Sequence, residues 1–251
     1  MFAHVFYRQN MLECTFEHGE VFAKIIDAVK DMCSEGNIDF TTNGVSMQIM
    51  DTAHVSLCCI VLRTNTFKTY KCTENISLGL NFKSLAMVLR GAKGQLDMKH
   101  NHSDTLDVSV NKLDGTATYN LKLMDIDSEY LGLPDKPHEA LCVLPANTLT
   151  KVIKDFGDFS DTCTIRIQEQ LHIDVQGDVG KVQWKSEGAK CSVQRQVEPL
   201  MFGTRYLALF TKAASVAEKV IVGVSENTPI CLTYPLEHGH IRYYLAPKNT
   251  D

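Results

Sequence analysis

Gly239-His240-Ile241-Arg242-Tyr243-Tyr244-Leu245-Ala246-Pro247-Lys248 stands near the end of the chain. Ile241 to Ala246 reads as a strand, because isoleucine, tyrosine and leucine suit a pleated, half-buried surface. A second stretch, Leu121-Lys122-Leu123-Met124-Asp125-Ile126-Asp127, runs on to Leu131-Gly132-Leu133-Pro134. From Asp125 to Glu139 it holds Pro134 and Pro137 and too little periodicity for a helix or long strand, so it reads as an extended linker crossing between two halves. A third stretch, Met50-Asp51-Thr52-Ala53-His54-Val55-Ser56-Leu57, reads as a loop entering a strand.

The halves on either side of that linker echo each other. Val21 to Glu35 places Phe22, Ile25, Ile26, Val29, Met32 and Cys33 at helical spacing, with Lys24, Asp27, Lys30 and Asp31 opposite. Ala146 to Phe159 repeats this with Leu149, Val152, Ile153 and Phe156 inward and Lys151, Lys154 and Asp155 outward. A shorter helix follows in each half: Leu85 to Ala92 with Ser84 as cap, and Arg205 to Ala214 with Thr204 as cap, preceded by Phe82 and Phe202. Strands are predicted over 37–40, 45–50, 55–62, 66–71 and 76–80, then 162–168, 171–176, 181–184, 220–224, 230–234 and 241–246. Strand-rich halves with two helices each predict an α+β fold in which antiparallel sheets carry helices on one face, and a repeat this long means a duplicated domain.

At 251 residues and 44% hydrophobic content the chain can bury one large core or two smaller ones. Its longest apolar run, Leu57 to Leu62, is far below the roughly 20 residues that span a bilayer, so no membrane association is expected. Residues 1–10 carry Arg8 and no apolar segment, so they do not read as a secretory signal. The Asn-x-Ser triplets at Asn75 and Asn101 matter only in the secretory pathway. Nine cysteines, with only Cys58 and Cys59 adjacent, form no paired framework and read as single core or edge thiols in a reducing compartment. The net charge of −5 argues against a chain that coats itself in nucleic acid, so the distribution of charge has to decide.

In order, spacing and identity, the three quoted stretches resemble the C-terminal strand, the interdomain connector and the neighbouring loop of the proliferating cell nuclear antigen family, the eukaryotic sliding DNA clamps. The resemblance runs from Met11-Leu12-Glu13 to about Lys248. It implies an extension at 1–10, a first clamp domain at 11–124, a connector at 125–139 and a second domain at 140–251. It further implies a homotrimeric, non-catalytic processivity ring in the nucleus, without cofactor or metal, around double-stranded DNA. Its partners would be DNA polymerase, flap endonuclease, DNA ligase and an ATP-driven clamp loader, all through interaction peptides.

Site residues follow from the same reading. Lys24, Lys30, Arg90, Lys93, Lys151, Lys154, Arg205 and Lys212 fall on or at the end of the helices, where the family lines a central hole with cations that meet phosphates without reading bases; a solvated polar face is the plainer reading. Met50, His54, Val55 and Leu57 match the family's partner-peptide pocket, as do Leu131, Leu133 and Pro134 on the connector. Pro229, Tyr244, Leu245, Ala246 and Pro247 complete it; read without the resemblance, these are core residues. Sheet edges at 116–122 and 179–186 would join subunits, with Tyr119, Lys181, Val182 and Trp184 at the joint.

Other chemistry finds little support. Asp125 and Asp127 are an acidic pair without a phosphate-cradling glycine loop. His100 with His102, and His238 with His240, lack a third zinc ligand and read as surface histidines. There is no Walker loop and no Gly-x-Ser-x-Gly. The chain departs from the family at Gln168, where a modified lysine is usual, at Glu74 and Met87 near the inner surface, at Asn227, and in a basic 185–195 segment. A subunit of a checkpoint-type heterotrimeric clamp is the alternative reading.

Overall fold

The computed structural model describes residues 11–112, 114–127, 130–132 and 137–248. Alternation of buried and outward residues sets nearly half of it in strands. In β1 (Leu12–Phe16) Leu12, Cys14 and Phe16 are buried while Glu13 and Thr15 face outward. The first half continues with α1 (Gly19–Val29), β2 (Glu35–Thr41), β3 (Gly44–Met50), β4 (Ser56–Arg63), β5 (Thr69–Cys72), β6 (Ile76–Asn81), α2 (Phe82–Leu89), β7 (Leu96–His100), β8 (Thr105–Lys112) and β9 (Gly115–Lys122). The second half holds β10 (Ala140–Pro145), α3 (Ala146–Gly157), β11 (Thr162–Ile167), β12 (Leu171–Gly177), β13 (Gly180–Lys185) and β14 (Lys190–Val193). It closes with β15 (Leu200–Gly203), α4 (Thr204–Phe210), a 3-10 turn at Thr211–Ser215, β16 (Lys219–Val224), β17 (Ile230–Leu236) and β18 (Gly239–Leu245).

Among the described residues all pairings are antiparallel, and the strands form three sheets: β5-β1-β7-β8-β9, β13-β12-β11-β15, and a nine-stranded sheet β14-β10-β16-β17-β18-β4-β3-β2-β6. The large sheet draws on both halves, which meet where β18 pairs with β4, Ile241 opposite Ile60 and Tyr243 opposite Cys58. Tyr243 then stacks on Phe210 of α4 at 4.5 Å, and its hydroxyl donates to the Ala28 carbonyl of α1 at 3.4 Å. One strand of the second half therefore anchors helices from both, and most of the buried apolar side chains belong to one cluster that spans the two halves.

The helices bury the residues that their spacing predicts: Phe22, Ile25, Ile26 and Val29 in α1, and Leu149, Val152, Ile153 and Phe156 in α3. Their ends differ from expectation. The first helix stops at Val29 rather than Glu35, because Glu35 is already paired with Asn81 of β6. Ser84 does not cap α2; Asn81 does, its Oδ1 accepting from the Ser84 N–H at 2.9 Å. Thr204 lies inside α4, and its hydroxyl donates to the Ser160 carbonyl at 2.8 Å instead. The strand expected over 66–71 begins only at Thr69, after a 3-10 turn at Thr64–Thr66. His100 is no surface histidine: it is buried, with Nδ1 3.0 Å from the Thr105 carbonyl oxygen. Nor are all nine thiols isolated, since the Cys142 and Cys191 sulfurs lie 2.7 Å apart as free thiols.

No helix among the described residues is long and apolar enough to cross a membrane.

Candidate partner cleft, helical face and sheet edges

The outer face of the nine-stranded sheet carries a cleft of about 900 Å³. Strand alternation puts Cys231 and Thr233 of β17 and Arg242 and Tyr244 of β18 on its floor, with Met50, Leu57 and Ala246 beside them. One wall is the linker, through Leu131, Gly132, Pro137, His138 and Glu139; the other is the Ser225–Pro229 turn.

Asp51 shapes the loop that carries His54 and Val55. Its carboxylate accepts from the backbone N–H groups of Ser56 at 2.7 Å, Val55 at 2.9 Å and Ala53 at 3.1 Å, and from the Tyr206 hydroxyl at 3.3 Å. Burial pushes this carboxyl up, but the N–H donors outweigh it and hold it below its usual range. The loop leaves His54 exposed at a left-handed φ of 57°.

The linker is held near its start, midway and at its far end. Met124 lies against Gly79 of β6, its N–H donating to the Gly79 carbonyl at 2.9 Å; a Cβ on Gly79 would stand 2.2 Å from the Met124 oxygen, so only glycine permits the approach. Leu131 is gripped by the Gln48 amide, which accepts its N–H at 2.6 Å and donates to its carbonyl at 3.0 Å. At the far end Glu139 accepts from the Glu226 N–H at 2.8 Å and pairs with Arg195, which also meets Glu226 at 2.7 Å. Burial, then the Arg242 charge, lowers the His138 imidazole. Burial, then Arg242 and Arg63, lowers His240 to about 4. Arg242 has no carboxylate partner among the described residues and is the cleft floor's cation.

The four helices form one layer, α1 against α2, α3 against α4, and α1 against the 3-10 turn of the second half. Lys24, Arg90, Lys93, Lys151, Lys154 and Arg205 are exposed on it. Lys24, Lys30 and Arg90 share a depression between α1 and α2 with Lys83. Two of the predicted cations are already engaged: Lys30 with Asp27 at 2.7 Å, and Lys212 with Asp31 at 2.5 Å. Arg205 lies 5.1 Å over the Tyr206 ring.

Both predicted edges are terminal strands. β9 ends the five-stranded sheet and β13 ends the four-stranded one. Tyr119, opposite Val108, and Val182 and Trp184, opposite Val175 and Ile173, point toward the core yet stay half-exposed because no further strand covers them. Lys112 donates to the Tyr119 hydroxyl at 2.9 Å. Lys181 faces solvent, and Val179 at the β12–β13 turn is 83% exposed.

Residues 11–130 match the family model of the proliferating cell nuclear antigen N-terminal domain, and 132–248 that of its C-terminal domain. The chain belongs to the proliferating cell nuclear antigen family. It is 34% identical over 252 residues to proliferating cell nuclear antigen 2 of Drosophila melanogaster, covering 96% of this chain and 99% of that protein. It is 32% identical over 258 residues to the proliferating cell nuclear antigen of Chaetomium thermophilum, covering 96% and 99%. The two-domain α+β clamp fold is the fold of that family.

Of the pocket residues predicted from the sequence, the cleft brings together Met50, His54, Val55, Leu57, Leu131, Pro229, Tyr244 and Ala246. Leu245 is not among them, because alternation along β18 turns it into the core at 1% exposure. Pro247 is half-buried and outside the lining, and Leu133 and Pro134 fall outside the described residues. Arg242, His138, Glu139 and Lys83 were missed. Arg242 was legible in principle, two residues from Tyr244 on one strand face; the others depend on contacts that no local pattern encodes.

Proposed function

We propose that this chain is a non-catalytic DNA sliding clamp: three copies join head to tail into a ring around duplex DNA, and replication proteins dock in the outer cleft. The observation that carries this reading is the pair of open sheet ends, β9 with half-covered Tyr119 and β13 with half-covered Val182 and Trp184. Two different exposed edges on one subunit suit a heterologous joint, which closes into a ring when the rotation per subunit allows.

The helix layer supports the second part. Lys24, Lys83, Arg90, Lys151, Lys154 and Arg205 present exposed cations suited to phosphates of any sequence. A net charge of −5 does not oppose this: a closed ring stays on DNA by topology, so its contacts need only guide, and weak screened contacts leave the path smooth. The cleft, apolar at Met50, Leu57, Leu131, Pro229 and Tyr244, suits the aliphatic and aromatic anchors of a short peptide, with strand and linker backbone supplying hydrogen bonds. DNA polymerase, flap endonuclease, DNA ligase and a clamp loader are the partners this reading assigns, and the nucleus the compartment.

The test is the mass of the purified protein by light scattering, alone and as Tyr119→Asp. A trimer that the substitution breaks into folded monomers supports the reading. A wild-type monomer would favour the checkpoint-type subunit instead.

A further inference from the structure

Cys142 lies on β10 and Cys191 on β14, directly opposite each other in the antiparallel register. The ladder positions them closely. The Gln194 N–H donates to the Glu139 carbonyl at 2.8 Å, which marks that pair as hydrogen-bonded; three residues further along, Cys142 and Cys191 therefore occupy a non-hydrogen-bonded pair, where facing side chains approach most closely. Their sulfurs stand 2.7 Å apart, and both are free thiols. Residues facing across such a pair meet the Cα spacing that a disulfide needs.

The two thiols are not equivalent. Cys142 is fully buried, and burial, then the neighbouring Cys191, pushes its thiol up to about 12. Cys191 is half-exposed and opens onto a surface depression of about 710 Å³ shared with Lys185 and His172. One sulfur can meet a small solute while the other waits behind it. No two of the other seven cysteines face each other directly across a ladder: Cys14 and Cys72 lie only diagonally on β1 and β5, Cys33 and Cys72 donate to the carbonyls of Glu35 and Glu74, and Cys58, Cys59, Cys163 and Cys231 are buried.

We propose that Cys142 and Cys191 form a reversible oxidation site, with Cys191 the thiol that reacts first and Cys142 the one that resolves it. With a peroxide as oxidant, the Cys191 thiolate attacks one oxygen, the O–O bond breaks, and Cys191 becomes a sulfenic acid as the other oxygen leaves as water or an alcohol. The Cys142 sulfur then attacks the Cys191 sulfur. The S–S bond forms, the S–O bond breaks, and water leaves with the Cys142 proton. Two thiols lose two electrons to one peroxide; a reducing dithiol reverses the change. In a compartment that keeps thiols reduced, such a bond is transient and signals oxidant.

The bond would matter because β14 is the terminal strand of the large sheet and only four residues long. It runs directly into Gln194 and Arg195, which hold Glu139 on the cleft wall. Oxidation ties this edge to β10 and closes a loop between positions 142 and 191.

The experiment treats the full, reduced chain with stoichiometric hydrogen peroxide, blocks residual thiols, and maps the digest without reductant by mass spectrometry. The account expects one dominant linked peptide joining Cys142 to Cys191, lost on adding dithiothreitol. It also expects an unfolding temperature raised by roughly 5 °C in the oxidised form. Cys191→Ser, at a half-exposed position, should fold normally and lose both effects; Cys142→Ser should instead leave a trappable sulfenic acid on Cys191. Sulfinic acid on wild-type Cys191 with no linked peptide, or a linkage between other cysteines, would overturn the proposal.

Discussion

Lys212, in the 3-10 turn that follows α4, holds Asp31 at the end of α1 through an N–O contact of 2.5 Å. The pair ties a helix of the first half to the turn of the second and neutralises a cation on the face assigned to DNA. Hydrogen bonding to Lys212 is the main cause that keeps the Asp31 carboxyl below its usual value, overcoming burial. Any stabilisation it gives is therefore present above the unfolded carboxyl's pKa and fades as pH falls through the lower folded one. Both side chains are about two-fifths exposed, so the coupling measured by a double-mutant cycle should be below about 1 kcal/mol.

Releasing that lysine should show in DNA binding. Asp31→Asn leaves Lys212 unpaired, and the plot of log affinity against log salt should steepen by about one unit for each lysine newly engaged. Fluorescence titration of the loaded ring across a salt series reads it. An unchanged slope would remove Lys212 from the DNA-facing set.

The cleft depends on how the linker is held. Gln48→Ala removes both bonds to the Leu131 backbone and should weaken a docking peptide by about 1 kcal/mol, roughly fivefold. Leu131→Asp places a charge on an apolar wall and should weaken binding at least 30-fold, the order expected of an anchor position. Calorimetry with one interaction peptide measures both, and equal affinity in the two variants and the wild type would contradict the cleft assignment.

His240 sets an acid-side limit on stability. Burial, then Arg242 and Arg63, lowers its pKa from 6.5 to about 4. Between those values the unfolded chain binds a proton that the folded one refuses, so stability falls as pH drops from 6.5 toward 4 and is flat above. His240→Gln should flatten that part of the profile by roughly 1 kcal/mol, less than the full shift implies because solvent screens the half-buried imidazole, measured as the difference in urea midpoints between variant and wild type at pH 7 and pH 4.5. Parallel profiles would show that the imidazole is not held neutral.

What the sequence made legible follows the range of the forces involved. The helical period in Phe22, Ile25, Ile26 and Val29 is local, and it placed α1 and α3. The end of α1 is set by Glu35 meeting Asn81 across a sheet, and no helical pattern encodes that. Strands β3, β4, β17 and β18 declared themselves through β-branched and aromatic runs. β14, with Lys190, Cys191, Ser192 and Val193 mostly exposed, is a strand only because β10 lies beside it. The joining of β4 to β18 in one sheet, and with it the meeting of Arg242, His138 and Leu131 in one cleft, rests on contacts between residues far apart in the chain. For the cleft, the family resemblance supplied what local patterns lacked, though it carried Leu245 with it, which the strand's own alternation turns inward.

The ring is the claim on which the rest depends, and the molar mass of the purified wild-type chain by light scattering across a dilution series tests it most directly. The account predicts a plateau at three times the 28.1 kDa subunit mass, held down to the micromolar range. A mass of 28.1 kDa at every concentration would contradict it.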